Sequence, residues 1–313
     1  MLRWIGWAAV LALATSPAGA LELPRTWQSQ HFAGNPLVRT LAGPDGRPVA
    51  VAALEEAIAA ARYVLVGETH DNPDHHLIQA AIVADLGPRK PALVFEMITA
   101  DEAPALVAFL GDPQRTAAGL GPAVRWNERG WPDYAMYQPI AEAALGAGLQ
   151  IRPGDLGRET ARKIGRQGFA ALGPGEASRL GLERPMPEDA AAALTDELRE
   201  SHCGMLPDAA LPGMLNVQRA RDAVLADAMI AAAVPTGAAV LVAGSGHARA
   251  DRGAPAAIRA RQPEPGAAMI AIGLVEVTSA SADLAALGIS PETPAPYDFV
   301  LFTPKADISD PCE

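Results

Sequence analysis

The chain has 313 residues, 50% hydrophobic and 19% charged, with a formal net charge of -11 at pH 7. That length and composition supply a substantial core, in one large domain or two modest ones. The acidic balance argues against a nucleic-acid partner, because such binders cluster excess Lys and Arg. Lysine is confined to Lys90, Lys163 and Lys305, so most basic chemistry falls to arginine.

Residues 1–20 read as a signal peptide. Arg3 gives a positive start, residues 4–14 are an uncharged and mostly apolar run, and Ala18-Gly19-Ala20 has the small-x-small form of a cleavage site. A run of about a dozen residues is too short to span a bilayer. The expectation is an exported, periplasmic protein; no Cys follows the cleavage site, so there is no lipobox Cys for lipid attachment. Cys203 and Cys312 could pair in an oxidising compartment, and the sequence leaves that pairing open.

After an N-terminal extension over 21–49, strand and helix alternate through a domain over 50–304. Residues 54–61 read as helix and 63–67 as a buried strand closing on Gly67-Glu68-Thr69-His70. Asn72 then caps a helix with Pro73 in its first position, and Leu77, Ile78, Ala81 and Ile82 give it an apolar face. Of the paired His75 and His76, one is expected at the site and the other in solvent. Residues 92–95 form the next strand and deliver Glu96. A helix follows over 132–145, then a short strand over 149–151 with Asp155 just beyond.

Residues 156–234 read as a helical insertion or cap, broken at 173–175, 185–187 and 206–207. On its last helix, Leu211, Leu215, Gln218, Asp222, Leu225 and Met229 share one face, and the polar pair at its centre needs partners if buried. Alternation resumes with a strand over 239–243 closing on Gly244-Ser245-Gly246-His247, followed by Arg249. Further strands are expected over 269–277 and 299–302, with a tail over 305–313. The fold class is α/β, a mostly parallel sheet with flanking helices.

Ligands collect at the carboxyl ends of such strands. Glu68, His70, Glu96, Asp155, His247 and Arg249 therefore project to one edge, with His76, Gln218 and Asp222 as polar support. Gly67, Gly244 and Gly246 let backbone turn sharply there. A second concentration is the aromatic run 126–137, which holds Trp126, Trp131, Tyr134 and Tyr137, with Arg125 and Arg129 alongside. Rings and guanidiniums together suit a flat apolar ligand bearing carboxylates, and phenolate is a known axial ligand of haem iron.

These motifs in this order resemble the ChaN-like haem-binding proteins: the run from Val64 to His76, Phe95-Glu96-Met97, Gly130-Trp131-Pro132-Asp133-Tyr134 with Tyr137, His202-Cys203-Gly204-Met205-Leu206-Pro207, Gln218 to Asp222, and Ala243 to Arg249. The paired Gly-x-x-His pattern also resembles the wider superfamily of Tiki, TraB and erythromycin esterase proteins. The resemblance implies haem as cofactor and iron or haem uptake as its setting, with uptake components of the cell envelope as partners and haem held at a homodimer contact. Tyr134 or Tyr137 would be the iron ligand, and His202, Arg125, Arg129 and Trp131 the surrounding contacts. The chain lacks the lipidated Cys of the lipoprotein members, which leaves membrane attachment open. The alternative is a metal-dependent hydrolase or protease in which Glu68, His70, Glu96 and His247 bind a divalent ion or activate a water. A third reading is a binder of some other tetrapyrrole or organic acid.

Overall fold

A computed structural model describes residues 21–263, 268–309 and 312. The signal peptide expected at residues 1–20 lies outside the described residues. Seven strands form one sheet: β1 Leu41–Ala42, β2 Tyr63–Glu68, β3 Ala92–Thr99, β4 Gln150–Asp155, β5 Ala239–Gly244, β6 Met269–Glu276 and β7 Phe299–Thr303. Their order is β1-β7-β6-β2-β5-β3-β4. Only the edge pair β1 and β7 is antiparallel; every other pairing is parallel.

Helices α1 Val51–Ala60, α2 Pro73–Leu86, α3 Ala103–Gly111, α4 Ala117–Ala123 and α5 Tyr134–Gly146 alternate with the first strands. Then come α6 Arg158–Gln167, α7 Glu176–Arg179, α8 Glu188–Glu200 and the long α9 Leu211–Thr236, with α10 Ser245–Ala248 and α11 Ala254–Arg261 after β5. The α/β class expected from the alternation holds.

Every residue of β2 and β5 is buried, as expected for parallel strands covered on both faces. The two-residue period of a strand splits them between two apolar layers. Val64, Val66, Val240 and Val242 pack with α1, α2 and α5. Tyr63, Leu65, Leu241 and Ala243 pack instead with Leu225, Met229 and Ala233 of α9 and Ile258 of α11. The last helix of the expected insertion is thus part of the second layer. Leu194 and Leu198 of α8 form a small cluster of their own with Leu211. A disulfide joins Cys203, just after α8, to Cys312, with Cα atoms 5.3 Å apart.

Position α2 fixes much of the site, and a polar clasp fixes α2. The Asn72 side chain accepts hydrogen bonds from the Asp74 and His75 amides, and Pro73 opens the helix. Asn72 also donates to Glu276 on β6 at 2.7 Å and to the Pro304 carbonyl at 3.0 Å. Buried Asp74 accepts from the amides of Gln28 and Ser29, which straps the 21–49 segment to the helix. This clasp turns α2 away from its expected face: His75, His76 and Gln79 are buried beside Ile78 and Ile82. Leu77 is left partly exposed.

Asn72→Ala removes a helix cap, leaves the buried Pro304 carbonyl without its donor, and takes one of two donors from half-buried Glu276, which keeps the Ala306 amide. It is expected to lower the free energy of unfolding by about 2–4 kcal/mol, measured by urea denaturation against the native chain.

Candidate functional site

The register of the sheet brings the two Gly-x-x-His segments together. Gly67 pairs with Ala243, and Glu68 with Gly244, so both turns leave the sheet side by side. Each histidine is then oriented by a carboxylate on Nδ1. His70 Nδ1 lies 2.7 Å from Glu68 Oε1, and His247 Nδ1 lies 2.7 Å from Asp222 Oδ1. A carboxylate on Nδ1 fixes the ring and presents Nε2 outward. The two Nε2 atoms sit 4.0 and 3.6 Å from one oxygen, Oε1 of Glu96.

Glu96 lies inside β3, which continues to Thr99. Its Oε2 accepts from the Gly244 amide at 2.6 Å, and its Oε1 from Arg221 at 2.6 Å. Arg221 also donates through Nε to Asp155 at 2.7 Å. Burial pushes the Glu96 carboxyl up, but the charges of His247, Arg221 and His70 outweigh it and hold the group below its ordinary range. His247 is likewise pulled down by burial and raised overall, chiefly by Glu96.

Glu68 is held from the other side. Burial opposes its ionisation, yet His76 and His70 keep it well below the usual carboxylate range. His76 Nδ1 lies 3.1 Å from Glu68 Oε2, and His76 Nε2 faces the His70 carbonyl at 3.0 Å. For His70, desolvation is overcome by the Glu68 hydrogen bond and the Glu96 and Glu68 charges, so its pKa rises to about 9. His75, expected to alternate with His76 between site and solvent, is buried as well. Its Nδ1 accepts from the Thr69 amide and its Nε2 meets Thr303 Oγ1. Burial, helped by the His76 charge, lowers its pKa to about 3.

A cavity of about 420 Å³ opens over these groups, walled by Trp131, Gln218, Arg221 and Ser245, with Glu197 and Leu198 of α8 above. Trp131 and Arg221 separate it from a second cavity of about 480 Å³, which Arg125, Arg129 and Arg158 also line. The His70 ring lies 5.0 Å from the Trp131 ring.

Several expected site residues stand elsewhere. Both candidate phenols are buried and committed. The Tyr134 hydroxyl donates to the Ala117 carbonyl at 2.6 Å, and the Tyr137 hydroxyl donates to Glu68 Oε1 at 2.9 Å. Burial raises both phenol pKa values, with Glu68 adding to the effect at Tyr137. Tyr134 lines a separate cavity of about 500 Å³ with Trp126 and Asn127, and Tyr137 lines neither of the two cavities above; both hydroxyls are engaged within the protein. His202 sits on the exposed turn after α8, its Nδ1 against the Leu198 carbonyl at 2.8 Å, and lines neither cavity. Arg249 is turned to Asp251.

No group of three or more His, Cys, Asp or Glu side chains able to hold a metal ion occurs among the described residues. Glu68, His70, Glu96 and His247 do meet, but Arg221 takes the cationic position beside Glu96. That arginine was not expected from the sequence. It lies three residues after Gln218 on the same helix face, and following the polar stripe of α9 one step further would have found it.

The family model for haem-binding uptake proteins of the ChaN type, in the Tiki superfamily, matches residues 54–258. The chain belongs to this family. Among solved structures, ChaN of Campylobacter jejuni, described for cofacial haem binding, has a TM-score of 0.62 at 18% identity, over 83% of this chain and 95% of that one. An erythromycin esterase, EreC, in its open conformation has a TM-score of 0.46 at 12% identity, over 84% and 95%. No curated protein matches. Both the expected family and the expected fold are borne out, and a haem-binding, uptake-type function comes with the family.

Two outcomes follow from this geometry. A Cβ on Gly244 would stand 2.8 Å from His70 Nε2, so Gly244→Ala drives the ring from Glu96. A loss of about 1–3 kcal/mol on urea unfolding is expected for such overpacking. The second concerns pH. His75 is neutral in the fold, its pKa depressed from 6.5 to about 3, so its contribution is present above pH 6.5 and is lost as pH falls. The stability advantage of the native chain over His75→Gln is expected to shrink between pH 6.5 and 4.5, by about 1.4 kcal/mol per unit for one proton. His70, raised to about 9, acts in the opposite sense, its contribution lost as pH rises from 6.5 through 9.

Proposed function

We propose that this chain is an exported haem-binding protein that holds haem across the two cavities divided by Trp131. The observation that carries this reading is Arg129. Its Nη1 donates to the Met97 carbonyl and to Glu102, but Nε and Nη2 are buried without any acceptor. Buried donors without partners cost free energy. Arg125 and Arg158 stand on the same cavity wall, and burial together with these like charges lowers the Arg129 pKa. A propionate would satisfy the orphaned donors and relieve the repulsion. Trp131 offers an apolar plate beside them.

With both phenols engaged, the nitrogen best placed for an iron is His70 Nε2, whose side chain is 34% exposed and packed beside Trp131; ligation there would release the proton that Glu68 and Glu96 favour on the ring. Haem supplies the iron and its redox chemistry. The chain supplies an imidazole oriented by Glu68, guanidiniums for the acids and a ring for the macrocycle. The disulfide between Cys203 and Cys312 supports export, since such bonds persist in oxidising compartments. Following the cofacial arrangement described for ChaN of Campylobacter jejuni, a second copy would cover the open face of the haem in the setting of haem or iron uptake.

Haemin titrated into the purified protein is expected to give a saturable Soret shift at micromolar concentration. Arg129→Met should weaken binding at least tenfold, His70→Ala should move the Soret maximum, and Tyr134→Phe should leave the spectrum unchanged. Absence of saturation would sink the proposal. A spectrum lost in Tyr137→Phe but unaltered in His70→Ala would return the iron to the phenol.

A second reading, hydrolysis, is favoured by one observation: two carboxylate-oriented histidines flank the same oxygen of Glu96. With both rings favoured in the protonated form, such a pair can give a proton to a leaving group, and can take one from a water only after releasing its own. Turnover of ester or amide substrates that vanishes in His247→Ala would support it, and turnover unaffected by that change would reject it.

A further inference from the structure

A third cavity, of about 320 Å³, lies across Asp222 from the central one, between the 178–187 loop, α9 and α11. Its walls are aliphatic, with Leu180, Leu182, Met186 and Ala257 among them, and no aromatic or histidine side chain lines it. At the low end of the range for small-molecule sites, it suits a ligand much smaller than a porphyrin. Arg184, Arg219, Arg252 and Arg261 also line it.

The charges on this wall do not balance. Arg252 is paired with Glu197, and Arg261 with Asp227. Three carboxylates stand in the wall against the four arginines: Asp222 is taken by His247, Asp251 by Arg249, and Glu183 makes no ion pair with any of the four. Arg219 has no carboxylate among the described residues. It donates to the carbonyls of Leu182 and Arg184 at 3.0 and 2.6 Å and lies over the Phe169 ring at 5.0 Å. Burial lowers its pKa, as befits a cation withdrawn from water without a counter-charge. Arg261, meanwhile, keeps Nη1 buried with no acceptor. An unmatched guanidinium and an orphaned donor in one aliphatic cavity are costs that an anion would remove and a neutral ligand would not.

We infer that this cavity is a binding site for a small aliphatic carboxylate, its acid group between Arg219 and Arg261 and its chain against Leu180, Leu182 and Ala257. The site is separate from the haem cavities. Asp222 and Arg252 line both this cavity and the central one, so its occupant would touch the carboxylate that orients His247.

The test is isothermal titration of the oxidised full chain with octanoate, and with 1-octanol and acetate as comparison probes. Octanoate is expected to bind saturably at one site, with 1-octanol and acetate each at least tenfold weaker, because each lacks half of the recognition. Arg219→Met removes the charge at nearly constant length and should weaken octanoate at least tenfold. Ala257→Phe fills the cavity with both arginines retained and should do the same; if Arg219→Met fails to fold, this variant and the octanol comparison carry the test. Absence of saturable octanoate binding to a chain with native circular dichroism would overturn the proposal. So would equal binding of octanol and octanoate, or octanoate binding undiminished in the folded variants. Haemin titration of Ala257→Phe separates this site from the haem reading: the haem reading requires an unchanged Soret response there, and octanoate binding stands or falls whatever the chain does with haemin.

Discussion

One buried carboxylate organises the mouth of the sheet. Glu96 is 1% exposed, and an ionised carboxyl there is expensive unless its oxygens are engaged. The Gly244 amide takes one oxygen and Arg221 takes the other. Each partner imposes a further constraint. For its amide to point at Glu96, β5 must end where it does, which fixes the second Gly-x-x-His turn beside the first. For Arg221 to reach both Glu96 and Asp155, α9 must present a polar strip inward while Leu225 and Met229 pack on the sheet. The charges then come close to balance, with Glu68, Glu96, Asp155 and Asp222 facing Arg221 and three histidines whose protonated forms those carboxylates favour.

Much of this was legible in the sequence because it rests on short-range rules. Apolar runs ending in glycine mark buried parallel strands, and Asn72-Pro73 marks a helix start. The convergence of Glu68, His70, Glu96, Asp155 and His247 follows from strand polarity alone. What was not legible depends on rotation of helices about their axes. Leu77 and Ile78 look equivalent on a helical wheel, but the Asn72 and Asp74 clasp turns α2 so that Ile78 is buried and Leu77 is not. The same rotation buries both His75 and His76. Arg221 was hidden for a related reason: an arginine on a helix is ordinarily solvated, and its burial is set by two carboxylates distant in the chain.

Tyr137 shows how a residue singled out for one role can be engaged in another. Its residue type and its place among Trp126 and Trp131 fit a haem ligand. A phenol that donates to a buried carboxylate has the opposite chemistry, because Glu68 raises the cost of removing its proton. It acts instead as one of three clamps on Glu68, with His70 and His76, and its ring packs 3.8 Å from that of His76. Its contribution to any ligand therefore passes through Glu68 to His70. The metal reading meets a competitor at the same mouth. Glu68, His70, Glu96 and His247 converge, and the Arg221 guanidinium already pairs with Glu96, the carboxylate between the two histidines.

The three cavities have lining residues in common. Trp131 and Arg221 stand between the first pair, and Asp222 and Arg252 between the central and the aliphatic one. Arg221 and Asp222 are adjacent on α9, so a single helix turn contributes to all three. A ligand that displaces Arg221 must disturb Glu96, and one that displaces Asp222 must release His247, because each is held by a bond of 2.7 Å or less. Arg252 adds the cap to this linkage, since its partner Glu197 belongs to α8, which the disulfide after it ties to residue 312. The buried ion pairs that make the site costly to build thus also hold the charged side chains that neighbouring cavities have in common.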